Sequence, residues 1–264
     1  MFSNYTQKIV VLLLSIVSVF NLSAQDRPFI TIWQTDNEGV TEDNQIEIPA
    51  YGNYTIEWEE VDNTANNGTN EGSGPVVLNF PSAGTYRVKL NGGLEYIKFV
   101  YPTRDNYKII EIEQWGDIQW TQLTRAFYFC NRLARISADD SPNLENITSL
   151  GGMFSWMSVD GDNVLSANLS NWDVSNIESF GSMFSRTDFE ADITNWDTSS
   201  ARSMYGMFTL SNFNADISHW DVSKVTTMFE MFASTPFDND ISAWNVNHVT
   251  NMGLMFANTP FNQD

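Results

Sequence analysis

A chain of 264 residues, 42% of them hydrophobic, carries enough apolar side chain for one large or two modest buried cores, which sets it apart from disordered sequences. Lys and Arg total 13 against 33 Asp and Glu, a formal charge of -20. Such a surface repels phosphate backbones and anionic membranes, so nucleic acid is excluded as a partner and cations become the natural small ones. The single cysteine, Cys130, rules out an intrachain disulfide.

Lys8 precedes the apolar run Ile9 to Phe20, and Ser23 and Ala24 supply small residues near a cleavage point, the pattern of a secretory signal peptide over residues 1–24. The run is short of the roughly 20 apolar residues a membrane span needs. No cysteine follows it, which argues against a lipid anchor at this end. The expectation is a secreted or cell-surface bacterial protein with no membrane insertion after cleavage.

Residues 26–103 read as a small antiparallel β-sandwich. Ile56 and Trp58 alternate with Thr55 and Glu57, and Tyr86, Val88 and Leu90 alternate with Thr85, Arg87 and Lys89, the period of half-buried strands. Phe29–Trp33, Gln45–Ile48, Pro75–Phe80 and Glu95–Val100 complete a set of about six. Turns are expected at Asn37–Gly39, Tyr51–Asn53, Ser82–Gly84 and Asn91–Gly93, and a mobile loop at Asn63–Gly74, rich in Asn, Gly and Thr. Tyr54-Thr-Ile-Glu-Trp58 and Pro81-Ser-Ala-Gly-Thr-Tyr-Arg-Val88 resemble the polycystic-kidney-disease-type β-sandwich, although Glu59-Glu60-Val61 follows Trp58 where that family has a Gly-Asp-Gly turn.

Arg104–Tyr107 marks the boundary to a second domain, 107–264, built from repeats. Phe189-Glu-Ala-Asp-Ile-Thr-Asn-Trp196, Phe213-Asn-Ala-Asp-Ile-Ser-His-Trp220 and Phe237-Asp-Asn-Asp-Ile-Ser-Ala-Trp244 recur every 24 residues, and Met183-Phe184, Met207-Phe208, Met231-Phe232 and Met255-Phe256 keep the same spacing. A period in this range predicts a solenoid, since one unit cannot bury its apolar face alone. The repeat starts in degraded form at Trp115, passes through Pro142 in place of a tryptophan, and tightens from spacings of 27 and 30 to 24, which puts the surplus of the early coils, such as Val159–Asn163, in bulging loops. Within a coil, Val225, Met228, Met231 and Phe232 form a helical stripe with Asp221 or Ser223 as cap, and Ile241–Val246 reads as a short strand.

The recurring Asp-Ile-Ser-x-Trp-Asp-Val-Ser, Val-Thr-x-Met and Met-Phe phrases, with Ala126-Phe-Tyr-Phe-Cys130-Asn-Arg-Leu133, resemble the BspA-like leucine-rich-repeat surface proteins of bacteria. That resemblance implies a secreted or surface protein, some of whose relatives are adhesins. The predicted fold class is therefore α+β: a small antiparallel β-sandwich followed by a leucine-rich-repeat-like solenoid with one short strand and one short helix per coil. Phe261–Asp264 makes only half a coil, so the chain is expected to belong to a longer array or to leave Met255, Phe256 and Phe261 partly exposed for a partner.

Asp192, Asp216, Asp240 and Asp264 share one repeat position, and Asp173, Asp197 and Asp221 another. Stacked roughly 5 Å apart, neighbouring carboxylates repel by about 0.8 kcal/mol even in water. Backbone N–H bonds in turns and caps are the favoured offset, with calcium bridging Asp192, Asp216 and Asp240 as the alternative; no other cofactor is expected. Catalysis finds no motif: His219 and His248 occupy variable positions, and Cys130 sits in an aromatic run as a small buried hydrophobe. The binding-face candidates are the variable residues Asn195, His219 and Ala243 before each tryptophan, and Arg202 and Thr226 in the helical phrase. The expected function is non-enzymatic binding of an extracellular protein or glycan, most simply adhesion through the solenoid surface; a spacer or glycan-binding module of a larger secreted protein is the alternative.

Overall fold

The computed structural model describes residues 27–101, 104–158 and 163–263, so the signal peptide expected over 1–24, most of the loop expected at Val159–Asn163, and Asp264 lie outside the described residues. Ten strands follow in chain order: β1 Phe29–Gln34, β2 Gln45–Ile48, β3 Ala50–Glu60, β4 Asn63–Gly72, β5 Val76–Asn79, β6 Thr85–Ile97, β7 Ile109–Gln114, β8 Arg135–Ile136, β9 Val164–Ala167 and β10 Asp188–Glu190. Eight form one sheet in the order β10-β9-β8-β7-β1-β6-β3-β4, and β2 pairs with β5 in a second, small one.

The alternation in β3 and β6 works as read. Ile56, Trp58, Tyr86, Val88 and Leu90 are buried and meet Ile46, Ile48, Leu78 and Phe80 of the β2–β5 layer in one apolar cluster. Phe80 stacks on Tyr86 at 4.0 Å and takes the edge of Trp58 at 5.1 Å.

Two expected turns become the interior of strands. Tyr51–Asn53 and Asn91–Gly93 meet at the Asn53↔Gly93 pair of the β3–β6 ladder, where the register shifts between Tyr51 and Gly52. Gly52 has φ 102° and its missing side chain leaves room for the Gly93 carbonyl, which a Cβ would meet at 2.1 Å. Glycine here marks a bulge where two backbones close on each other, not a chain reversal. The expected mobile loop at Asn63–Gly74 is likewise mostly strand β4, paired along β3 from Tyr54↔Gly72 to Glu60↔Asn63. Its polar composition reflects an edge position with one solvated face. The polycystic-kidney-disease-type resemblance is not kept either, because these strands belong to a sheet that carries on into the repeats, with only two strands facing it.

The larger correction concerns the repeats. Among the described residues there is no helix, so the α+β fold class with a helix per coil fails, and Ile241–Val246 runs as turns instead of a strand. Six coils stack, with their paired phrases at Ala126-Phe127, Met153-Phe154, Met183-Phe184, Met207-Phe208, Met231-Phe232 and Met255-Phe256. Parallel bridges join Ser149, Ser179, Ser203, Thr227 and Asn251 from coil to coil. The segment read as helical is a ribbon of consecutive β-turns: Met231 N–H donates to Met228, Ala233 to Glu230 and Thr235 to Phe232, each three residues back. A spacing of three is common to a helical stripe and to such a ribbon, which is why the sequence pattern misled.

What decides for the ribbon is the fate of the remaining N–H groups. Met228, Glu230, Phe232 and Ser234 donate to the carbonyls of Asn251, Gly253, Met255 and Ala257 in the next coil, at 2.7–3.0 Å. Reaching them requires a left-handed residue twice per ribbon: Arg125 and Phe129, Gly152 and Trp156, Ser182 and Arg186, Gly206 and Leu210, Glu230 and Ser234, Leu254 and Asn258, all with φ between 56° and 65°. Non-glycine residues in this region cost roughly 1–2 kcal/mol each, which the inter-coil bonds and the core must offset.

That core is a set of ring columns. Phe154, Phe184, Phe208, Phe232 and Phe256 stack at 5.8–6.1 Å from coil to coil, and Phe189, Phe213, Phe237 and Phe261 form a second column at 6.0–6.1 Å. Within a coil the two meet, Phe208 on Phe213 at 3.8 Å. The indole N–H of Trp196, Trp220 and Trp244 donates to the carbonyl of Leu169, Thr194 and Ile217 in the preceding coil. Where Pro142 supplies no ring, Trp115 reaches across and presents its edge to Trp172 at 5.4 Å. Met255 is buried, whereas Phe256 and Phe261 are half-buried.

The two regions share a seam. The buried carboxylate of Asp105 accepts from the N–H groups of Val40, Thr41 and Glu47 and from the Thr41 hydroxyl, at 2.6–3.1 Å. Lys108, also buried, donates to the carbonyls of Thr41, Glu42 and Gln45 and to the Thr41 hydroxyl. Desolvation pulls its ammonium below the usual lysine value, against the pull of nearby carboxylates led by Asp105.

Candidate binding face

Each coil turns its recurring Met, Phe, Ile and Trp side chains inward and presents its variable side chains in columns. Asn195, His219 and Ala243 fall in one exposed column. There Nε2–H of His219 donates to the Thr194 carbonyl at 2.6 Å, the same oxygen that accepts from Trp220. Arg202 and Thr226 fall in another, where Arg202 lies 3.6 Å from Glu178 and Thr226 donates through both its N–H and its hydroxyl to the Arg202 carbonyl. The candidates from the sequence are thus gathered into two columns, each cross-linked by its own coil-to-coil bonds.

The aspartate columns are held by turns. Asp192 accepts from the N–H of Thr194 at 2.9 Å and from its hydroxyl at 2.6 Å. Asp216 and Asp240 accept from the N–H of Ser218 and Ser242 at 3.0 and 2.8 Å. The hydroxyl bond first and the N–H second hold Asp192 below the usual carboxylate value, as they do Asp173 and Asp221. At Asp216 and Asp240 the N–H bond leads, and Asp216 partly opposes the effect at Asp240. Among the described residues no three His, Cys, Asp or Glu side chains form a group that could hold a metal. Cys130 is fully buried and its thiol is pushed well above the usual value by desolvation.

A surface that the sequence reading missed lies along the turn ribbons. A groove of about 500 Å³ crosses the third to sixth coils, lined by Ser182, Arg186, Tyr205, Leu210, Glu230, Leu254 and their neighbours. Tyr205 and Leu254 are 45% and 58% exposed, and Tyr205 stacks on Phe229 at 5.6 Å. The Arg186 guanidinium lies over Trp156 at 4.2 Å, in line with Phe129 and Tyr101, which stack in turn. The sequence signal was present. Position Arg186/Leu210/Ser234/Asn258 and position Ser182/Gly206/Glu230/Leu254 vary between fixed Met and Phe. A helix assignment hid it by assigning those residues the wrong faces.

Among the described residues no helix is long and apolar enough to cross a membrane. No curated protein and no solved structure matches the chain. The resemblance to BspA-like leucine-rich-repeat proteins is overturned on two counts, the helix-free coils and the family that does match. Two overlapping matches, residues 121–211 and 148–264, take in every turn ribbon of the stack and more than half of the chain, which therefore belongs to the family described as Mycoplasma protein of unknown function, DUF285.

Proposed function

We propose that this is a secreted or cell-surface, non-enzymatic binding protein that holds an extracellular protein or glycan along the side of its coil stack. The observation that carries this reading is the ribbon groove, where solvent-facing residues change from coil to coil on a backbone that does not. Such a division between constant scaffold and variable surface is how repeat arrays acquire ligands. Exposed Tyr205, Leu210 and Leu254 supply apolar anchors, and Ser182, Arg186, Glu230 and Asn258 supply polar ones. The signal-peptide pattern supports the location and the formal charge of -20 argues against nucleic-acid ligands.

The test is capture of the full mature chain on immobilised matrix proteins and, separately, on polysaccharides. Binding to one class, weakened about tenfold or more by Tyr205→Ala or Leu210→Ser, is the expected result. Absence of binding to either class, or binding indifferent to both substitutions, would sink the groove reading.

A further inference from the structure

The two edges of the eight-stranded sheet are finished differently. At β10 a side chain closes the edge: the Asn212 amide accepts from the Phe189 N–H at 3.1 Å and donates to the Phe189 carbonyl at 3.3 Å, standing in for a further strand. At β4 the edge is open. In the sheet β4 adjoins β3 alone, and among the described residues its main chain bonds to the main chain of no other segment. The Asn67 side-chain amide covers the carbonyls of Thr64 and Ala65 at 2.9 and 3.4 Å, which leaves Gly68–Gly72 as the uncovered stretch. A proline, a lysine or a bulge commonly blunts such an edge. None of these stands in Gly68–Gly72.

The two faces beside this edge differ in chemistry. On the inner one, Trp58 and Tyr54 pair with Gly68 and Gly72, and their rings lie so close over the glycines that an added Cβ would meet either at 2.5 Å. On the outer one, Glu57 pairs with Thr69 and Thr55 with Glu71, which makes Glu57 and Glu71 diagonal neighbours roughly 7 Å apart. Both carboxylates are exposed, and neither is in an ion pair among the described residues. Lys89, opposite Glu57 in the β3–β6 ladder, turns to Glu59, which Arg87 also holds. At the end of β4 a cavity of about 390 Å³ is lined by Asn53, Tyr54, Thr55, Glu71, Gly72 and Ser73.

We infer that β4 takes up, as a further strand, an extended segment of another protein that carries lysine or arginine at alternate positions. Main-chain pairing along Gly68–Gly72 supplies the attachment, the mode by which extended peptides add to open sheet edges. The strand period of two places every basic side chain of that segment on the face of Glu57 and Glu71. The cavity beside Glu71 has room for one of them. A second copy of this chain does not fit the edge. Asn53–Gly72 holds five Asp or Glu and no Lys or Arg, so β4 laid against β4 would set like charges beside one another. The edge shares no residue with the ribbon groove, and its binding stands or falls independently of the proposed function.

The probe is a short peptide of alternating threonine and lysine, added to the full chain and followed by fluorescence anisotropy and by amide exchange. Strand addition predicts binding that slows exchange within Gly68–Gly72 by about tenfold or more, and a loss of affinity of about threefold or more when Glu57→Gln and Glu71→Gln are combined. A threonine–glutamate peptide should give neither binding nor protection. The lysine peptide methylated at every main-chain nitrogen keeps its charge and loses its donors; it should leave the β4 amides unprotected. Equal binding by the methylated peptide would overturn the inference, since it would show attraction by charge alone. So would no binding of the lysine peptide, binding that leaves exchange at Gly68–Gly72 unchanged, or self-association of the chain that protects those amides without any peptide.

Discussion

In the β-domain, charged side chains tie neighbouring strands together: Arg87 meets Glu113 at 2.6 Å and Glu59 at 3.1 Å, and Lys89 lies 3.4 Å from the same Glu59. Beyond residue 140 the described residues hold one ion pair, Arg202 with Glu178. The coil stack relies instead on ring columns and on main-chain bonds between coils, while its carboxylates are turned to local duty in Asx turns. Both regions contribute buried apolar residues to one continuous core, but the sheet joins strands distant in sequence, such as β1 with β6 and β7, whereas each coil depends on the coil before and after it. A stack of this kind is nearly one-dimensional in its energetics. Damage in its middle should therefore be felt differently from damage in the sheet.

The largest effect that separates the two regions is expected from Phe208→Ala. Phe208 touches Phe184, Phe213, Trp220 and Phe232, so its loss should cost about 3–5 kcal/mol. Denaturant unfolding followed by tryptophan fluorescence should then split into two transitions, because none of the rings that Phe208 touches belongs to the β-domain. A single transition, shifted as a whole, would show that the regions unfold as one.

Asp105→Ala probes the seam. It leaves four donors of the Val40–Glu47 loop without their acceptor and should cost about 3 kcal/mol, with faster amide exchange at Val40, Thr41 and Glu47 and little change at the third to sixth coils. Within the stack, Gly206→Ala places a side chain at φ 56°, 3.3 Å from the Ser182 and Thr209 hydroxyls, and should lower stability by about 1 kcal/mol. An equal or higher melting temperature would mean that the left-handed residues are not a constraint on these coils.

The smallest difference is one of pH. The folded-state values of Asp173, Asp192, Asp216, Asp221 and Asp240 are lowered from the usual 3.8. Their contribution is thus present in full above that value and is lost as pH falls through the lower folded values. Acid should loosen the stack only at the foot of the carboxylate range, and combined Asp192→Asn, Asp216→Asn and Asp240→Asn substitutions should flatten that dependence. A pH profile unchanged by the triple substitution would show that these turns do not couple to stability.

Much of this was legible in the residues. The 24-residue period, the Trp and Phe columns, and the buried faces of β3 and β6 all follow from side-chain chemistry and spacing. Backbone conformation was far less so. Tyr51–Asn53 and Asn91–Gly93 carry turn composition, yet glycine permits a bulge as readily as a reversal, and only their meeting across β3 and β6 selects the bulge. Asn63–Gly72 lacks apolar alternation because its strand lies at a sheet edge. The groove was missed for a related reason, since the face a residue occupies depends on whether its segment is a helix or a turn ribbon.

By itself, then, the sequence determined that units of 24 residues stack and which of their side chains form the shared core, because burying an apolar face is a demand each unit makes on its neighbours whatever its backbone does. The tertiary structure alone decided how the backbone meets that demand. Val225, Met228, Met231 and Phe232 satisfy a helix and a turn ribbon equally well, and the choice rests on carbonyls 23 residues away, at Asn251, Gly253, Met255 and Ala257, that accept the N–H groups a helix would have kept for itself.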